Sequence, residues 1–191
     1  MAPKNPNDAS AQAQSDAAAA PAAASAPAGL AAGPGPRTRR VDRGERYHTR
    51  ALVLQGLYGW LLAGGEAGVI GKQLLTTEQV AKVDVVFFHE LLAGTIAAAP
   101  ELRAEFAPVL DRPVAALSPV EHALLLMGAY EIKHRPEIPY RVAINEAIEL
   151  AKTFGGTDGF RFVNGVLDKL AARLRGAESA PVDTGRGRQR A

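Results

Sequence analysis

The sequence predicts an all-α fold, a compact bundle of about six or seven helices with a disordered tail at each end. Three observations carry this. Apolar residues recur at helical spacing, as in Leu54, Leu57, Tyr58 and Leu61, and no stretch shows the alternation that a half-buried strand requires. Helix starts and stops are punctuated by Ser118-Pro119, by Pro139 and by the Gly155-Gly156 pair. With 47% apolar residues a chain of 191 can bury one core, yet residues 1–36 are dominated by Ala, Pro, Ser and Gly and take no part in it.

Taken in order, residues 1–36 form a tail whose alanine runs are interrupted by Pro21, Pro27, Pro34 and Pro36. Residues 37–42 are a basic arm, residues 43–175 the folded domain, and residues 176–191, ending GRGRQRA, a second loose tail. The first helix runs from about Arg43 to near Ala63, with Arg43, Arg46 and Arg50 ahead of its apolar stripe. Gly64, Gly65, Gly68 and Gly71 then make a flexible connection, with Val69 and Ile70 tucked against the body. A long helix capped by Thr77 carries Val80, Val83, Phe87, Leu91 and Ile96 toward Pro100, and Gly94 is a point where it can bend. Pro100 opens a short amphipathic helix whose buried face is Leu102, Phe106, Val109 and Leu110.

Ser118, Pro119 and Glu121 spell a capping box, the clearest helix start in the chain. The helix that follows, VEHALLLMGAYEIKH, is apolar around most of its circumference and belongs at the centre of the bundle. Residues 139–175 then read as two helices around a glycine corner. Ile144, Ala147, Ile148, Ala151 and Phe154 line the first, and Val163, Val166, Leu167, Leu170 and Leu174 the second, with Asp158 placed to cap it.

Composition excludes several classes of function. There is no cysteine, hence no disulfide and no thiolate metal site, and the default compartment is the cytoplasm. No apolar run approaches a membrane span, and the alanine-rich start lacks the features of a secretory signal. Charge is unevenly distributed: residues 51–175 carry twelve Lys/Arg against fourteen Asp/Glu, whereas residues 37–50 carry six Arg against two acids. A basic arm on a near-neutral body suits a polyanionic partner, and arginine-rich termini also serve solubility alone.

The search for catalytic chemistry is negative. His48, His89, His122 and His134 share no metal-ligand spacing. GVIGKQ at 68–73 lacks the phosphate loop's first glycine and its hydroxyl and follows no strand, and GGTDG at 155–159 is a turn between helices. Asn145, Glu146 and Asn164 interrupt apolar helices and read as a buried network that fixes helix registry. Asp158 either caps its helix or faces a ligand at the helix start. Phe154 continues the apolar stripe into the core, while Phe154, Phe160 and Phe162 beside Arg161 are also what stacking on unpaired bases requires.

The run IPYRVAINEAIELAKTFGGTDGFRFVNGVLDKL closely resembles the C-terminal signature of the NusB family of bacterial transcription antitermination factors. The resemblance extends over about residues 43–175, through ALVLQGLYGWLL, VDVVFFHELLAG and DRPVAALSPVEHALLLMGAYEI. It implies an all-helical, non-enzymatic, cofactor-free protein. It further implies binding of boxA in nascent ribosomal RNA with the ribosomal protein NusE, so that RNA polymerase, with other Nus factors, reads through terminators. Position by position, it assigns RNA contact to Arg46, Arg50, Phe154, Asp158, Arg161 and Phe162, and the NusE-facing surface to Tyr58 and Glu121. One departure is visible: where the family often has successive arginines this chain has Arg46, Tyr47 and His48, with Ala51 at a commonly acidic position, and Arg37, Arg39, Arg40 and Arg43 stand upstream. Two other readings remain. Ribosomal RNA cytosine methyltransferases carry a similar N-terminal domain but continue into a catalytic domain, for which this sequence has no room. The other is a protein-only interaction module, or a homodimer that masks the RNA surface.

Overall fold

The helix whose start is best specified by sequence is also the one the others surround. Ser118 adopts extended backbone angles, its side chain accepts from the Glu121 amide at 3.2 Å, and the Glu121 carboxylate returns a bond to the Ser118 amide at 3.0 Å. Pro119 takes the first helical position, where no amide is needed. The helix thus begun, Pro119–His134, buries Ala123 through Ala129, Glu131 and Ile132, so nearly its whole circumference lies against neighbours.

The computed structural model describes residues 43–176. The helices are α1 (Arg43–Ala63), α2 (Ala67–Leu74), α3 (Thr77–Val80), α4 (Val85–Phe106), α5 (Pro119–His134), α6 (Tyr140–Phe154) and α7 (Gly159–Leu174). No strand occurs among the described residues. α5 packs on α1, α4, α6 and α7, and α6 and α7 form the closely packed pair expected of residues 139–175. The expected tails at 1–36 and 176–191, apart from Gly176, and the arm at 37–42 with its Arg37, Arg39 and Arg40 lie outside the described residues.

Several expectations are corrected. The glycine-rich connection after α1 is mostly helix. Gly64 and Gly65, at φ 71° and 108°, supply the left-handed residues that end α1, and α2 then begins at Ala67. Gly71 is buried because α2 crosses α4 closely: a Cβ there would sit 3.3 Å from the His89 ring and 3.5 Å from Phe88. The single helix read from Thr77 to Pro100 is two. Thr76, not Thr77, caps the one-turn α3, and Asp84 opens α4 by accepting from the Phe87 amide at 3.0 Å. Pro100 starts nothing; α4 runs through it to Phe106 because Leu91, Leu92, Thr95, Ala99, Leu102 and Phe106 form one continuous buried face. Burial of that face outweighs the hydrogen bond the proline removes. The merged run, Val85–Val109, is long and apolar enough to span a bilayer by length and composition, contrary to the sequence reading. Its apolar face is instead packed on α1 and α5.

Two close approaches position the elements around the later site. Tyr130 of α5 lies directly across Gly94 of α4, so that a Cβ there would fall 2.1 Å from the phenolic oxygen and 2.3 Å from Cζ. Gly94 is therefore a crossing point. At the far end of α5, Arg175 donates to the carbonyls of Ile132 (2.6 Å), Ile138 (2.9 Å), Arg135 (2.9 Å) and Glu131 (3.2 Å). One guanidinium satisfies the exposed end of α5 and fixes the turn into α6.

Gly94→Ala is expected to lower unfolding free energy by about 1–3 kcal/mol, because a rigid ring cannot vacate the space. Gly59→Ala, on an exposed part of α1 with nothing near the added methyl, is expected to raise it by about 0.5–1 kcal/mol. Urea denaturation of both variants measures the difference, and equal stabilities would refute the crossing argument.

Candidate nucleic-acid interface

Of the arginines at the start of α1, where RNA contact is expected, Arg43 is exposed, Arg46 is half-buried and Arg50 turns inward. Arg50 is 3% exposed. Its Nε donates to both Glu131 carboxylate oxygens at 3.1 and 3.2 Å, and its Nη2 to Oε1 at 2.6 Å. Glu146 of α6 stands 3.7 Å away on the other side. The guanidinium expected at an RNA surface is engaged in a buried ion pair joining α1, α5 and α6. Burial forces this, since an arginine shielded from water needs opposite charge at short range. Arg46 is about one-third exposed, pairs with Asp84 at 3.4 Å and lies 4.1 Å from the Phe87 ring centroid. Arg50 and Arg135 approach the same ring at 5.1 and 5.4 Å.

The expected network of Asn145, Glu146 and Asn164 is likewise redrawn. Glu146 belongs to the buried charge cluster, but Asn145 is exposed and Asn164 half-buried. Both amides line a shallow polar cavity of about 350 Å³ between α6 and α7.

Tyr58 and Phe154 do come together. They line a groove of about 510 Å³ with His48, Ala51 and Gln55 of α1 and Val120 of α5. Phe154 is 51% exposed and Tyr58 41%. The helical stripe that pointed Phe154 at the core runs past the edge of the bundle at the last residue of α6, so the ring faces the groove. Gly155 follows because a Cβ there would meet the Ala151 carbonyl oxygen at 2.5 Å.

The remaining candidates gather at the start of α7. Asp158 holds the N-cap position, but its side chain makes no capping bond, which corrects that expectation; it pairs with Arg161 at 3.2 Å, both side chains about three-quarters exposed. An ion pair so open to water is easily exchanged for a ligand. Phe160 is half-buried beneath Arg161, whose Cζ is 5.5 Å from its centroid. Phe162 is half-buried with Arg112 over its ring. Glu121 faces the same place: its Oε1 would lie 3.8 Å from a Cβ on Gly159, while Oε2 is held by Ser118. Val120, the preceding residue, lines the Tyr58–Phe154 groove, so the first turn of α5 joins the groove to the α7 corner.

Beyond these, His122 accepts from Arg103 Nε at 3.0 Å and stands edge-on to Phe106. Burial, with the Arg103 charge beside it, pushes its pKa down to about 4. Among the described residues no cluster of His, Asp or Glu is arranged to hold a metal ion. What the surface offers is an aromatic groove, an exposed acid–base pair and cations over rings, an arrangement suited to stacking and phosphate contact.

A model of the NusB family matches residues 48–172. The transcription antitermination protein NusB of Bordetella pertussis is 56% identical over 140 residues, covering 71% of this chain and 91% of that protein. Its counterpart in Nitrosospira multiformis is 59% identical over 129 residues, covering 68% and 82%. Among solved structures, that of T. maritima NusB superimposes with a TM-score of 0.61 at 22% identity, over 70% of this chain and 96% of that one. A crystal structure of antitermination factors NusB and NusE in complex with dsRNA gives 0.60 at 20% identity, over 66% and 96%. These two structures establish a shared fold.

Two outcomes follow from the buried groups. Glu131→Ala leaves Arg50 without its main partner and is expected to cost about 3–5 kcal/mol in denaturant unfolding, whereas the double variant Arg50→Met/Glu131→Leu should lose less. A double variant no more stable than Glu131→Ala would contradict this. For His122 the folded pKa, about 4, lies below the ordinary 6.5, so its contribution to stability is complete above pH 6.5 and is lost as pH falls toward 4. Thermal melts of the chain and of His122→Phe should therefore converge as pH drops through that window.

Proposed function

The chain belongs to the NusB family, and from that premise we propose that it is a non-enzymatic RNA-binding antitermination factor that engages boxA RNA together with NusE. On this reading it acts in the cytoplasm, within the RNA polymerase elongation complex and alongside other Nus factors. The observation that carries the reading is the continuity of one face. Tyr58 and Phe154 flank a groove, and the first turn of α5 leads from it to Glu121, Asp158, Arg161 and Phe162. An exposed aromatic beside an exposed arginine suits an unpaired base next to its phosphate.

The roles divide by exposure. Arg161 is open to solvent and paired only with the equally open Asp158, so it supplies charge to phosphate. Phe154 offers a ring face across the groove from Tyr58. Arg46 and Arg50 hold the end of α1 in place and act on RNA only through the shape they maintain. In the relative whose structure was determined with NusE and dsRNA, the fold is the same, which supports carrying both partners to this chain.

Titrating labelled boxA RNA against the chain and NusE over a range of salt tests the reading. Binding should weaken as salt rises. Arg161→Gln should lower the magnitude of the log–log slope by about 0.7. Phe154→Ala should leave that slope intact and cost about 1–3 kcal/mol of affinity. Affinity equal for boxA and a scrambled RNA, or indifferent to both substitutions, would reject it. A dimer by light scattering that neither RNA nor NusE alters would favour a homodimeric interaction module instead.

A further inference from the structure

Arg112 lies in the connection between α4 and α5, where the sequence offers only a helix stop before Pro113. Its Cζ stands 4.4 Å from the centroid of the Phe162 ring. Phe162 is half-buried and packs against the core. A ring seated on the core and covered by a guanidinium has little bare face left for a base. Arg112 is 41% exposed, and its Nε donates at 2.9 Å to the exposed Asp111 carboxylate. Glu121, at the junction of groove and corner, is close enough to act on it electrostatically.

We infer that Arg112, with Phe162 as the floor beneath its guanidinium, is the group on which an unpaired base of the bound RNA stacks at this corner. The guanidinium is planar and weakly hydrated, so it stacks on an aromatic ring on one side and on a base on the other. The Asp111 bond is open to water, so it is readily exchanged for a phosphate while the guanidinium keeps its place over the Phe162 ring. Lysine at this position would keep the charge and lose the plane, which separates stacking from simple attraction. The inference rests on the RNA-binding reading above.

The test uses the chain with single-stranded boxA RNA carrying 2-aminopurine at one position at a time. The unaltered chain should quench the fluorophore at one position. Arg112→Lys should abolish that quenching and weaken binding by about tenfold, with the salt slope unchanged. Arg112→Ala should weaken binding further and reduce the slope by about 0.7. Both variants should melt as the unaltered chain does, since Arg112 is a surface residue. Retained quenching and affinity in Arg112→Lys would overturn the inference, as would quenching that depends on Phe162 but not on Arg112. If the unaltered chain binds boxA RNA in either case, the antitermination reading stands and only the role of Arg112 falls. If it binds no RNA, both fall.

Discussion

The contact between Arg50 and Glu131 is the constraint on which the rest of the structure depends. Two charges, 3% and 1% exposed, meet at the point where α1, α5 and α6 converge, and a third, Glu146, borders them. A buried pair of this kind adds little net stability, because desolvation consumes most of the Coulombic gain. Its effect is directional. A bidentate guanidinium accepts one placement of its carboxylate, so α1 cannot slide along α5 as two purely apolar faces could. Around it, Arg46 pairs with Asp84 at the head of α4, and the Phe87 ring is shared by three guanidiniums. The start of α1 is thereby fixed to α4, α5 and α6 at once.

That commitment determines what is left for a ligand. With Arg50 inside and Arg46 largely engaged, the first helix contributes a surface of Tyr58, His48 and Gln55 rather than a row of cations. Positive charge on the described surface near this face includes Arg161, Arg112 and Lys152, each beside a phenylalanine ring. The described face therefore combines a few open cations with exposed or half-buried aromatic rings, groups that suit phosphate contact and base stacking respectively.

Much of the fold was legible in the sequence. The boundaries of α1, α6 and α7, the capping box of α5 and its central place follow from apolar spacing and from Ser118, Glu121 and Gly155, because these are local signals read through local geometry. What was not legible was decided by tertiary contact. Gly68 and Gly71 read as loop because glycine disfavours helix, yet α2 forms since Gly71 lets it lie against Phe88 and His89. Pro100 read as a helix start, yet the buried face from Leu91 to Phe106 carries α4 through it. The site divides the same way. Residue types at the α6–α7 corner were identifiable from their spacing, whereas the inward turn of Arg50 and the position of Arg112 over Phe162 depend on partners 81 and 50 residues away in sequence, the first at Glu131.

The first turn of α5 links the two halves of this surface, and its chemistry bears on how two partners could share it. Ser118 holds one carboxylate oxygen of Glu121 through both its amide and its hydroxyl, so the side chain is fixed before any partner approaches. Its other oxygen faces the start of α7, and the adjacent Val120 faces the groove. A partner that covers Glu121 removes water from around it and strengthens its field at Arg112. A ligand held at Arg112 changes, in turn, the cost of covering Glu121. Coupling of this kind is reciprocal by necessity, so any ligand at Glu121 and any ligand at Arg112 would influence one another equally through a single fixed turn.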